Sequence, residues 1–502
     1  MINLTIDDKK LTVEEGTTIL NAALRNGIEI PHLCYHPKLK IRGTCRICLV
    51  EIEGMRKLET ACSTVAKDGM EVFTKSERVE KARRGVIEFL LINHPLNCPV
   101  CDQAGDCDLQ RYARRYGREH SRYSEDKRDF PKHDIGGGLI RNMNLCIACT
   151  RCVRFAKDIL GIEEYGIFFR GNDQQVGIYE GGDLKNAMQG CMVDICPVGA
   201  LTSKDFRFKK RVWFLDQKPS ICQRCATGCN TFIEVEDDVV YRITPRENGD
   251  INDIWMCDIG RMTYHDMDEV EPVTFPMMKG DDQFFEVSWE KAIEELASEI
   301  RERGGKDAFA LVIGAGASVE DMASALLAAD GNIGKGKITF VSRVEDITEQ
   351  KEAGNFLINE DFSPNTAGAK KLGINDNLKK IEESLNSKDI TGVLLLGCEI
   401  FEAGLPDALK NLKKAKFTAV ITDRMTPEIE KNADIVIPAP HWSQKSGTFI
   451  NSKGISQRIG AAVMPPRGVV HLTKTFADLT AAIEQTSADY DGFYKEVEKR
   501  VG

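Results

Sequence analysis

Cysteine is the residue whose spacing in this sequence points to chemistry. Sixteen of the 17 cysteines lie between Cys34 and Cys257, and the interval C-x2-C recurs in four separate stretches. Thiolates at such intervals bind zinc or iron–sulfur clusters. The N-terminal stretch MINLTIDDKKLTVEEG has neither the cationic nor the apolar region of a signal peptide, so we expect a cytoplasmic chain with reduced thiols. Metal binding is therefore favoured over a disulfide framework.

The first candidate ligand set follows the pattern C-x10-C-x2-C-x13-C. It comprises Cys34, Cys45, Cys48 and Cys62. Gly43 lies just before the middle pair and lets the backbone wrap closely around a cluster. The pattern predicts a [2Fe–2S] cluster, although its first interval is wider than that of plant-type ferredoxins, and zinc is the alternative. Four thiolates complete the set, so His36 is interpreted as structural.

The second candidate set lies in the string NHPLNCPVCDQAGDCDLQ. It comprises His94, Cys98, Cys101 and Cys107. Three thiolates here have no fourth cysteine within easy reach, so the histidine is the predicted fourth ligand of a [4Fe–4S] cluster. A neutral imidazole in place of a thiolate removes one negative charge from the ligand set, which raises the reduction potential. The alternative is a histidine that only caps a cluster held by three cysteines and water.

The third candidate set combines a C-x2-C-x2-C run with a distant cysteine in DICPVGAL. It comprises Cys146, Cys149, Cys152 and Cys196. Pro197 follows the last of these, as in bacterial ferredoxins. A double-ferredoxin pattern would need a further cysteine soon after Cys152 and a second triplet, so one [4Fe–4S] cluster is predicted. Cys191 competes as a ligand, but a buried free thiol is the favoured interpretation of that residue.

The fourth candidate set follows the pattern C-x2-C-x3-C-x27-C, which suits a [4Fe–4S] cluster. It comprises Cys222, Cys225, Cys229 and Cys257. Zinc could satisfy any one set alone. Four successive sets, one of them with a histidine, favour a redox function over a series of zinc knuckles. One [2Fe–2S] and three [4Fe–4S] clusters would hold about 14 irons per chain.

The elements that position these sets follow from the periodicity of the sequence. Residues 2–13 alternate as two strands, and a helix is predicted from Thr18 to Asn26, ended by Gly27. Residues 76–93 predict an amphipathic helix. Its apolar stripe is predicted to consist of Val79, Ala82, Val86 and Leu90. Residues 111–134 show little periodicity and predict a solvated connector.

The C-terminal half has a different pattern and a single cysteine, Cys398. Apolar runs alternate there with helical stretches, which predicts a parallel α/β sheet. The runs are 308-AFALVIG-314, 393-VLLLG-397 and 435-IVIP-438. The segment 314-GAGASV-319 offers two of the three glycines of a dinucleotide fingerprint. We interpret it as a strand-to-helix turn and assign no NAD site.

Charge and hydropathy exclude two classes of partner. The net charge is -10 and the pI is about 5.5, without a basic stretch, which argues against nucleic acid. No run of about 18 apolar residues occurs, so no direct membrane span is expected. We expect a cytoplasmic protein or one peripheral on the inner face of the cell membrane.

The metal-rich half resembles the large iron–sulfur subunit of bacterial complex I (NADH:quinone oxidoreductase) and related subunits of NAD(P)-linked hydrogenases and formate dehydrogenases. The resemblance covers residues 1 to about 270. It rests on the strings CYHPKLKIRGTCRICLVEIEG, NHPLNCPVCDQAGDCDLQ, CIACTRCVRF and DICPVGALTS. The resemblance implies a [2Fe–2S] cluster at the first set, a cluster with one histidine and three cysteines at the second, and [4Fe–4S] clusters at the third and fourth. It implies a multidomain α+β and α/β protein that begins with a β-grasp ferredoxin domain.

The C-terminal half resembles a reduced molybdopterin oxidoreductase domain. In HWSQKSGTFINSKGISQ, five positions match the string GT-x-x-N-x-E-G-R-x-Q of that family. They are Gly447, Thr448, Asn451, Gly454 and Gln457. Lys453 and Ile455 replace the family's Glu and Arg, and Glu399 follows Cys398 where catalytic members that use cysteine as a metal ligand have a neighbouring histidine. We therefore expect no pterin.

These resemblances divide the chain into five expected domains. They are a [2Fe–2S] ferredoxin-like domain at 1–77, a one-His/three-Cys [4Fe–4S] domain at 78–117, a [4Fe–4S] ferredoxin-like domain at 138–214, a molybdopterin-oxidoreductase-type [4Fe–4S] domain at 215–271, and the reduced domain at 272–502. No flavin motif or nucleophile–base pair is evident, so no catalytic residue is assigned.

The predicted function is electron transfer within a multi-subunit NAD(P)H-linked oxidoreductase. Expected partners are an NAD(P)H-oxidising flavoprotein subunit, a small [2Fe–2S] subunit, subunits of a hydrogenase, formate dehydrogenase or complex I, and ferredoxin. The short C-terminal half favours a soluble, electron-bifurcating hydrogenase or formate dehydrogenase slightly over complex I. The alternative is a self-contained molybdenum or tungsten oxidoreductase such as a formate dehydrogenase catalytic subunit, which length and missing motif residues disfavour. An [FeFe]-hydrogenase catalytic subunit would need several more cysteines.

Overall fold

The chain forms two compact units. The computed structural model describes residues 1–179, 182–268, 270–281, 283–303, 308–314, 316–397, 400 and 412–502. The units are Met1–Leu215 and Asp216–Gly502. Cys398, Glu399 and the Ala315 of the GAGASV segment lie outside the described residues. The five expected domain boundaries stay predictions.

A five-stranded sheet with one helix opens the first unit. The strands, in spatial order, are Lys9–Val13, Ile2–Ile6, Met70–Phe73, Leu49–Ile52 and Glu59–Thr60. The strand Ile2–Ile6 pairs antiparallel with Lys9–Val13 and parallel with Met70–Phe73. The predicted helix is confirmed as Ile19–Arg25, capped by the Thr18 hydroxyl and followed by Gly27 at φ 71°. Its buried face packs on the sheet around Ile6, Ile19 and Val50.

The amphipathic helix is confirmed as Glu77–Leu91, capped by the Ser76 hydroxyl, but its predicted stripe is only partly right. Val79, Arg83 and Ile87 are its buried residues, whereas Ala82, Val86 and Leu90 are half-buried. Arg83 donates from Nη2 to the Leu49 carbonyl at 3.1 Å, and its guanidinium carbon lies 5.5 Å from the centre of the Tyr116 ring. A hydropathy pattern could not find this position because arginine counts as polar.

The rest of the first unit consists of short helices and hairpins that leave long loops. The α-helices are Asp108–Tyr116, Arg151–Asp158 and Cys191–Asp194, and the 3-10 helices are Cys98–Val100, Met143–Leu145, Gly171–Asp173 and Val212–Phe214. The strands are His133–Asp134, Leu139–Arg141 and Leu201–Ser203 in one sheet, and Tyr165–Phe168 and Gln175–Ile178 in a hairpin. The prediction of a connector from residue 111 was wrong for its first turns, because residues 111–116 end a helix whose Leu109 and Tyr112 are buried.

The second unit contains the predicted parallel sheet. Its seven strands, in spatial order, are Phe284–Glu286, Met277–Lys279, Ile435–Pro438, Phe417–Thr422, Gly392–Leu396, Phe309–Gly314 and Ile338–Val341. The last five are mutually parallel. The three apolar runs noted in the sequence are thus confirmed as strands. Smaller sheets are formed by Asp216–Ile221, Asn230–Glu236 and Val239–Pro245, by Glu271–Pro272 and Arg424–Met425, and by Gly447–Ile450 and Ser456–Ile459.

Helices cover both faces of the parallel sheet. The α-helices of this unit are Asp258–Arg261, Trp289–Glu302, Val319–Ala329, Thr348–Glu352, Thr366–Lys371, Leu378–Asn386, Pro427–Asn432, Leu472–Glu484 and Tyr490–Val501. The 3-10 helices are Thr263–Met267, Lys335–Lys337, Leu412–Lys414 and Trp442–Gln444. Alternate strand residues enter different cores, since Leu311 and Leu394 pack with one set of helices and Val312 and Val393 with the other. None of the described helices combines the length and apolar character needed to cross a membrane.

A buried ion pair stabilises the start of the helix Val319–Ala329. Lys445 Nζ lies 2.9 Å from Asp321 Oδ2, and both side chains are almost fully buried. Burial alone would raise the pKa of Asp321, but the charge and hydrogen bond of Lys445, with smaller contributions from His471 and the Ser318 N–H, lower it overall. The pair therefore stabilises the fold above the unfolded aspartate pKa of about 4, and this contribution is lost as the pH falls through the lower folded pKa.

Replacing Lys445 with methionine should destabilise the second unit strongly. The change leaves the Asp321 carboxylate buried without its cation, a situation that costs about 3–5 kcal/mol. Chemical denaturation at neutral pH measures this loss in free energy of unfolding. Lys499→Met is the matched control, because Lys499 forms an exposed pair with Glu496 and should change stability by at most about 1 kcal/mol. Equal effects of both substitutions would contradict the expectation.

Candidate iron–sulfur centres

The first set lies in buried loops of the N-terminal sheet domain. All four thiols are buried, and they form two hydrogen-bonded pairs, Cys34 with Cys45 and Cys48 with Cys62. In each pair the shared hydrogen bond lowers the pKa of one thiol, Cys34 or Cys62, and raises the pKa of its partner, Cys45 or Cys48. Two pairs of cysteines match a centre with two irons, each of which takes two cysteine ligands.

The loop of the first set depends on left-handed backbone. Gly43 has φ 67°, as its predicted role requires, and Arg46 between Cys45 and Cys48 has φ 60°. The Cys34 N–H donates to the Cys45 sulfur at 3.4 Å. The loop therefore turns its own backbone N–H toward a sulfur atom, which stabilises negative charge there.

The second set is carried by a 3-10 turn and a helix N-terminus. Cys98 begins the turn Cys98–Val100, and Cys107 caps the helix Asp108–Tyr116, with its sulfur accepting from the Gln110 N–H at 3.4 Å. Burial raises the pKa of Cys101 and raises the pKa of Cys107 to about 12. The negative charges of the neighbouring cysteines of this set increase both pKa values further. Such thiols ionise when a metal supplies the compensating charge.

His94 is suited to bind a metal as a neutral imidazole. Burial, together with the charges of Lys127 and Arg128, lowers its pKa to about 4, so the ring is uncharged at neutral pH. Its Nδ1 is buried and has no hydrogen-bond partner. A buried ring nitrogen without a partner costs free energy unless another group satisfies it, and a metal ion would do so. The ligand role of His94 stays a prediction.

The third set surrounds one cavity. Cys146, Cys149, Cys152 and Cys196 all line it, with Met143 and Leu201 among its apolar neighbours. Burial raises the pKa of Cys146 to about 11 and that of Cys149 to about 12, and the charge of Cys196 adds to both. Cys191 is fully buried at the start of the short helix Cys191–Asp194. It is not among the described residues that line this cavity.

The fourth set lies in the second unit, where all four cysteines are buried. The Cys222 N–H donates to the Cys229 carbonyl at 2.7 Å, and the Gly260 N–H donates to the Cys257 sulfur at 3.4 Å. A Cβ on Gly260 would lie 2.8 Å from the Cys222 sulfur and 3.6 Å from the Cys257 sulfur. The two sulfurs, 35 residues apart in sequence, therefore face the same small space.

Each set behaves as a separate group of thiols. The thiol charges that contribute most to the pKa values of Cys62, Cys107, Cys152 and Cys229 come from members of the same set. No three His, Cys, Asp or Glu side chains of the described ranges are arranged to hold a single metal ion. In a cluster each thiolate binds its own iron or shares it with one neighbour, so the sulfurs need not converge on one point.

The loop that follows the third set contacts the second set. The Asp108 N–H, next to Cys107, donates to the Pro197 carbonyl at 3.0 Å. A Cβ on Gly199 would lie 2.7 Å from the Cys101 sulfur. The loop that follows Cys196 therefore packs against the second set, and only glycine leaves room for the sulfur at this point.

Substituting Gly199 by alanine is expected to displace the Cys101 sulfur. The second set should lose its electron paramagnetic resonance (EPR) signal or show it in less than half of the molecules, while the first and fourth sets keep theirs. Gly85→Ala is the control, since a Cβ on Gly85, inside the helix Glu77–Leu91, would meet no atom within 4 Å. A full second-set signal in Gly199→Ala would show that the loop can move away without cost.

The residues that match the molybdopterin string contact other protein groups. Gln457 Nε2 donates to the Gly228 carbonyl at 2.9 Å, and Asn451 Nδ2 donates to the Thr227 carbonyl at 3.3 Å. Thr448 donates from both its backbone N–H and its hydroxyl to Glu320 at 2.7 Å. Two members of the string thus support the loop that carries Cys225 and Cys229. That the domain works without a pterin stays a prediction.

Sequence reasoning missed several polar residues beside the sets. Arg211 donates to the Cys101 carbonyl at 2.5 Å and to the Pro99 carbonyl at 2.6 Å. Arg154 contacts the first and third sets. Tyr165 is fully buried, and burial followed by the charge of Cys152 raises the pKa of its hydroxyl. Arg154 lies only two residues after the predicted ligand Cys152, whereas Arg211 lies far from any predicted ligand in sequence. The spacing of the cysteines therefore did not indicate either arginine.

Comparison with known proteins places each of these stretches in a family. Residues 1–77 match a 2Fe-2S iron-sulfur cluster binding domain, and residues 83–122 match the NADH-ubiquinone oxidoreductase-G iron-sulfur binding region. Residues 137–202 match the ferredoxin-like domain of NADH-quinone oxidoreductase subunit 3, and residues 217–265 match the NDSU1/NuoG-like 4Fe-4S domain of NADH-ubiquinone oxidoreductase. Residues 273–337 and 334–470 match molybdopterin oxidoreductase.

Whole-chain comparison finds the G subunit of the NADH-quinone oxidoreductase of Rickettsia felis, which is 40% identical over 392 residues. The chain is a homologue of the G subunit of NADH-quinone oxidoreductase. The predicted resemblance is therefore confirmed, as are the N-terminal [2Fe–2S] domain, the [4Fe–4S] domains and the C-terminal molybdopterin-oxidoreductase domain. The NADH-ubiquinone oxidoreductase 75 kDa subunit of Reclinomonas americana is 38% identical over 388 residues.

The alignments with these two relatives cover most of this chain but not most of theirs. They include 77% and 76% of this chain, and 57% and 55% of the two relatives. The chain thus spans little more than half the length of the curated relatives it matches. A solved structure of an NAD+-reducing [NiFe]-hydrogenase in the H2-reduced state is 31% identical, with a TM-score of 0.38, and the match covers 42% of this chain and 91% of that one.

Proposed function

We propose that the chain is the iron–sulfur electron-transfer subunit of a multi-subunit NAD(P)H-linked oxidoreductase. One [2Fe–2S] cluster would be held by Cys34, Cys45, Cys48 and Cys62. Three [4Fe–4S] clusters would be held by His94, Cys98, Cys101 and Cys107, by Cys146, Cys149, Cys152 and Cys196, and by Cys222, Cys225, Cys229 and Cys257. The observation that carries this proposal is that the 15 predicted cysteine ligands, all buried or half-buried, form four groups within which thiol charges or hydrogen bonds act between neighbours.

The chemistry of the protein itself is to hold, bury and space the redox groups. When bound, each cluster accepts and releases one electron at a time. The chain supplies thiols that release their protons when they bind iron, and buried loops that keep water from most of the sulfurs. No residue of the chain is proposed to act on a substrate.

The donor and acceptor are proposed to be other subunits. A flavoprotein subunit would oxidise NAD(P)H and exchange electrons with the N-terminal clusters, with a small [2Fe–2S] subunit beside it. The relatives are named as subunits of NADH-quinone oxidoreductase, which supports a complex of that kind. A hydrogenase or formate dehydrogenase assembly with ferredoxin as a further partner is the second form of the proposal. Either would lie in the cytoplasm or on the inner face of the cell membrane.

Iron analysis of anaerobically purified protein tests the cluster count. We expect about 14 irons per chain and a brown colour that bleaches on reduction. Replacing Cys222, Cys225, Cys229 and Cys257 together with serine is the matched control and should lower the count to about 10. A colourless wild-type protein that binds zinc would refute the proposal.

Purification of the tagged chain from its source organism tests the partners. Mass spectrometry of the co-purifying proteins should identify a flavoprotein subunit in every preparation. Quinone-reductase subunits beside it would support the first form of the complex, and hydrogenase or formate dehydrogenase subunits the second. Absence of any flavoprotein would contradict both forms.

A further inference from the structure

Two buried arginines of the helix Arg151–Asp158 contact both the first and the third ligand sets. Arg154 is 8% exposed and Arg151 is 7% exposed. The helix begins after Thr150, whose φ of 61° and ψ of 15° put it in the left-handed region. Burying an arginine is costly because its charge leaves water, so its hydrogen bonds must compensate. The hydrogen bonds of these two side chains therefore indicate which segments the buried arginines hold together.

Arg154 joins a predicted ligand of the first set to one of the third. Its Nη2 donates to the Cys34 carbonyl at 2.5 Å and to the Cys149 carbonyl at 3.3 Å. Its Nη1 donates to the Lys40 carbonyl at 2.5 Å, and its Nε donates to the Thr150 carbonyl at 3.3 Å and hydroxyl at 3.2 Å. One planar group thus fixes the loop that begins at Cys34 against the turn that follows Cys149.

Arg151 repeats this arrangement one turn earlier. Its Nη2 donates to the Tyr35 carbonyl at 2.7 Å, and its Nη1 donates to the Ile195 carbonyl at 3.2 Å. Tyr35 follows Cys34 in sequence, and Ile195 precedes Cys196. Two neighbouring arginines therefore connect the same two sets through different backbone groups.

The hydrogen bonds of Arg154 leave its positive charge in place. They end on uncharged carbonyl and hydroxyl oxygens. Burial and the charge of Arg151 lower the pKa of Arg154 overall, although the charges of Cys149, Cys34 and Asp158 oppose this shift; a guanidinium nevertheless stays protonated in a protein. Asp158 also forms an ion pair with Lys40 at 3.0 Å, so its negative charge is shared between two cations. The guanidinium is therefore a buried cation between the predicted ligands of two sets.

We propose that Arg154, together with Arg151, is a positioning residue that fixes the separation of the first and third clusters and raises the reduction potential of both. This inference rests on the proposed function, because it requires clusters at these two sets. A rigid, multidentate guanidinium holds two loops in one geometry, which a flexible side chain does not. Reduction adds one negative charge to a cluster, and a nearby buried cation stabilises that charge strongly where the dielectric constant is low.

EPR-monitored redox titration of the full chain tests the effect of the charge. In Arg154→Met, the ratio of reduced to oxidised cluster at fixed ambient potential should fall at least tenfold at both the first and the third set. For a one-electron couple that equals a midpoint shift of about 59 mV to lower potential. The second and fourth sets should keep their midpoints. Arg211→Met is the matched control, because Arg211 makes the same type of contact with the Cys101 and Pro99 carbonyls and should affect the second set alone.

Arg154→Lys separates the charge from the geometry. Lysine keeps the cation but lacks the planar fork, so the midpoints should stay near those of the wild type while the magnetic coupling between the two reduced clusters changes. If Arg154→Met does not retain its clusters, the midpoints and the magnetic coupling of Arg154→Lys still test the inference. Unchanged midpoints in Arg154→Met, equal shifts at all four sets, or a Lys variant with lowered midpoints and unchanged coupling would overturn the inference. A wild-type chain without clusters would instead refute the proposed function.

Discussion

Replacing Cys196 with serine is expected to abolish the [4Fe–4S] signal of the third set. Cys196 lines the same cavity as Cys146, Cys149 and Cys152, and a serine hydroxyl is a much poorer ligand for iron than a thiolate. The iron content should fall by about four per chain, and the EPR spectrum should lose one [4Fe–4S] component. The first set, whose cysteines belong to the N-terminal sheet domain, should keep its [2Fe–2S] signal.

Cys191→Ser is the control for that result. Cys191 lies five residues before Cys196 and is fully buried at the start of the helix Cys191–Asp194. Its substitution should leave all four cluster signals and the iron content as in the wild type. Loss of the third signal in Cys191→Ser, with retention in Cys196→Ser, would reverse the ligand assignment.

Replacing His94 with cysteine is expected to keep the second cluster and lower its reduction potential. A thiolate adds one negative charge where the imidazole, with a pKa of about 4, is neutral at the pH of the measurement. Replacing two thiolates by imidazoles separates Rieske centres from plant-type ferredoxins by several hundred millivolts, so one exchange should shift the midpoint by on the order of 100 mV. EPR-monitored titration measures this shift at the second set.

The control for His94 is a histidine outside the sets. His133→Cys changes an exposed residue of the strand His133–Asp134 and should leave every midpoint unchanged. An unchanged second-set midpoint in His94→Cys would remove His94 from the ligands. His94→Ala should then still assemble the cluster, whereas a ligand role predicts that it does not.

The sequence was sufficient to predict the elements that have a clear apolar pattern. The strands Ile2–Ile6 and Lys9–Val13 were found because apolar side chains alternate there with the period of a strand. Three of the parallel strands, Phe309–Gly314, Gly392–Leu396 and Ile435–Pro438, were found because they are continuous apolar runs, as expected of strands that are buried on both faces. The ligand sets were found because cysteine is rare and its intervals are short. Gly43 was identified as a tight loop position, and its φ of 67° agrees with that role.

What the sequence did not predict depends on contacts between distant segments. Arg83 occupies the buried face of an amphipathic helix, although a hydropathy pattern treats arginine as solvent-exposed. Arg154 is buried because carbonyls more than 100 residues away accept its hydrogen bonds, and no local pattern contains them. The contact between Gly199 and Cys101 likewise exists only once two loops have met. Because every residue has a backbone carbonyl, the sequence does not indicate which carbonyls accept these hydrogen bonds.

Along the chain the second set lies between the first and the third, but in the first unit the third set has contacts with both of the others. Residues 196–199 begin with the predicted last ligand of the third set, and Gly199 lies against the Cys101 sulfur of the second, although the second set ends at Cys107. During synthesis the ribosome therefore releases the second set about 90 residues before the segment that packs against Cys101. Domains generally fold as their chain emerges. We expect the second cluster to be inserted late, or to be protected by an assembly factor until the DICPVGAL segment arrives.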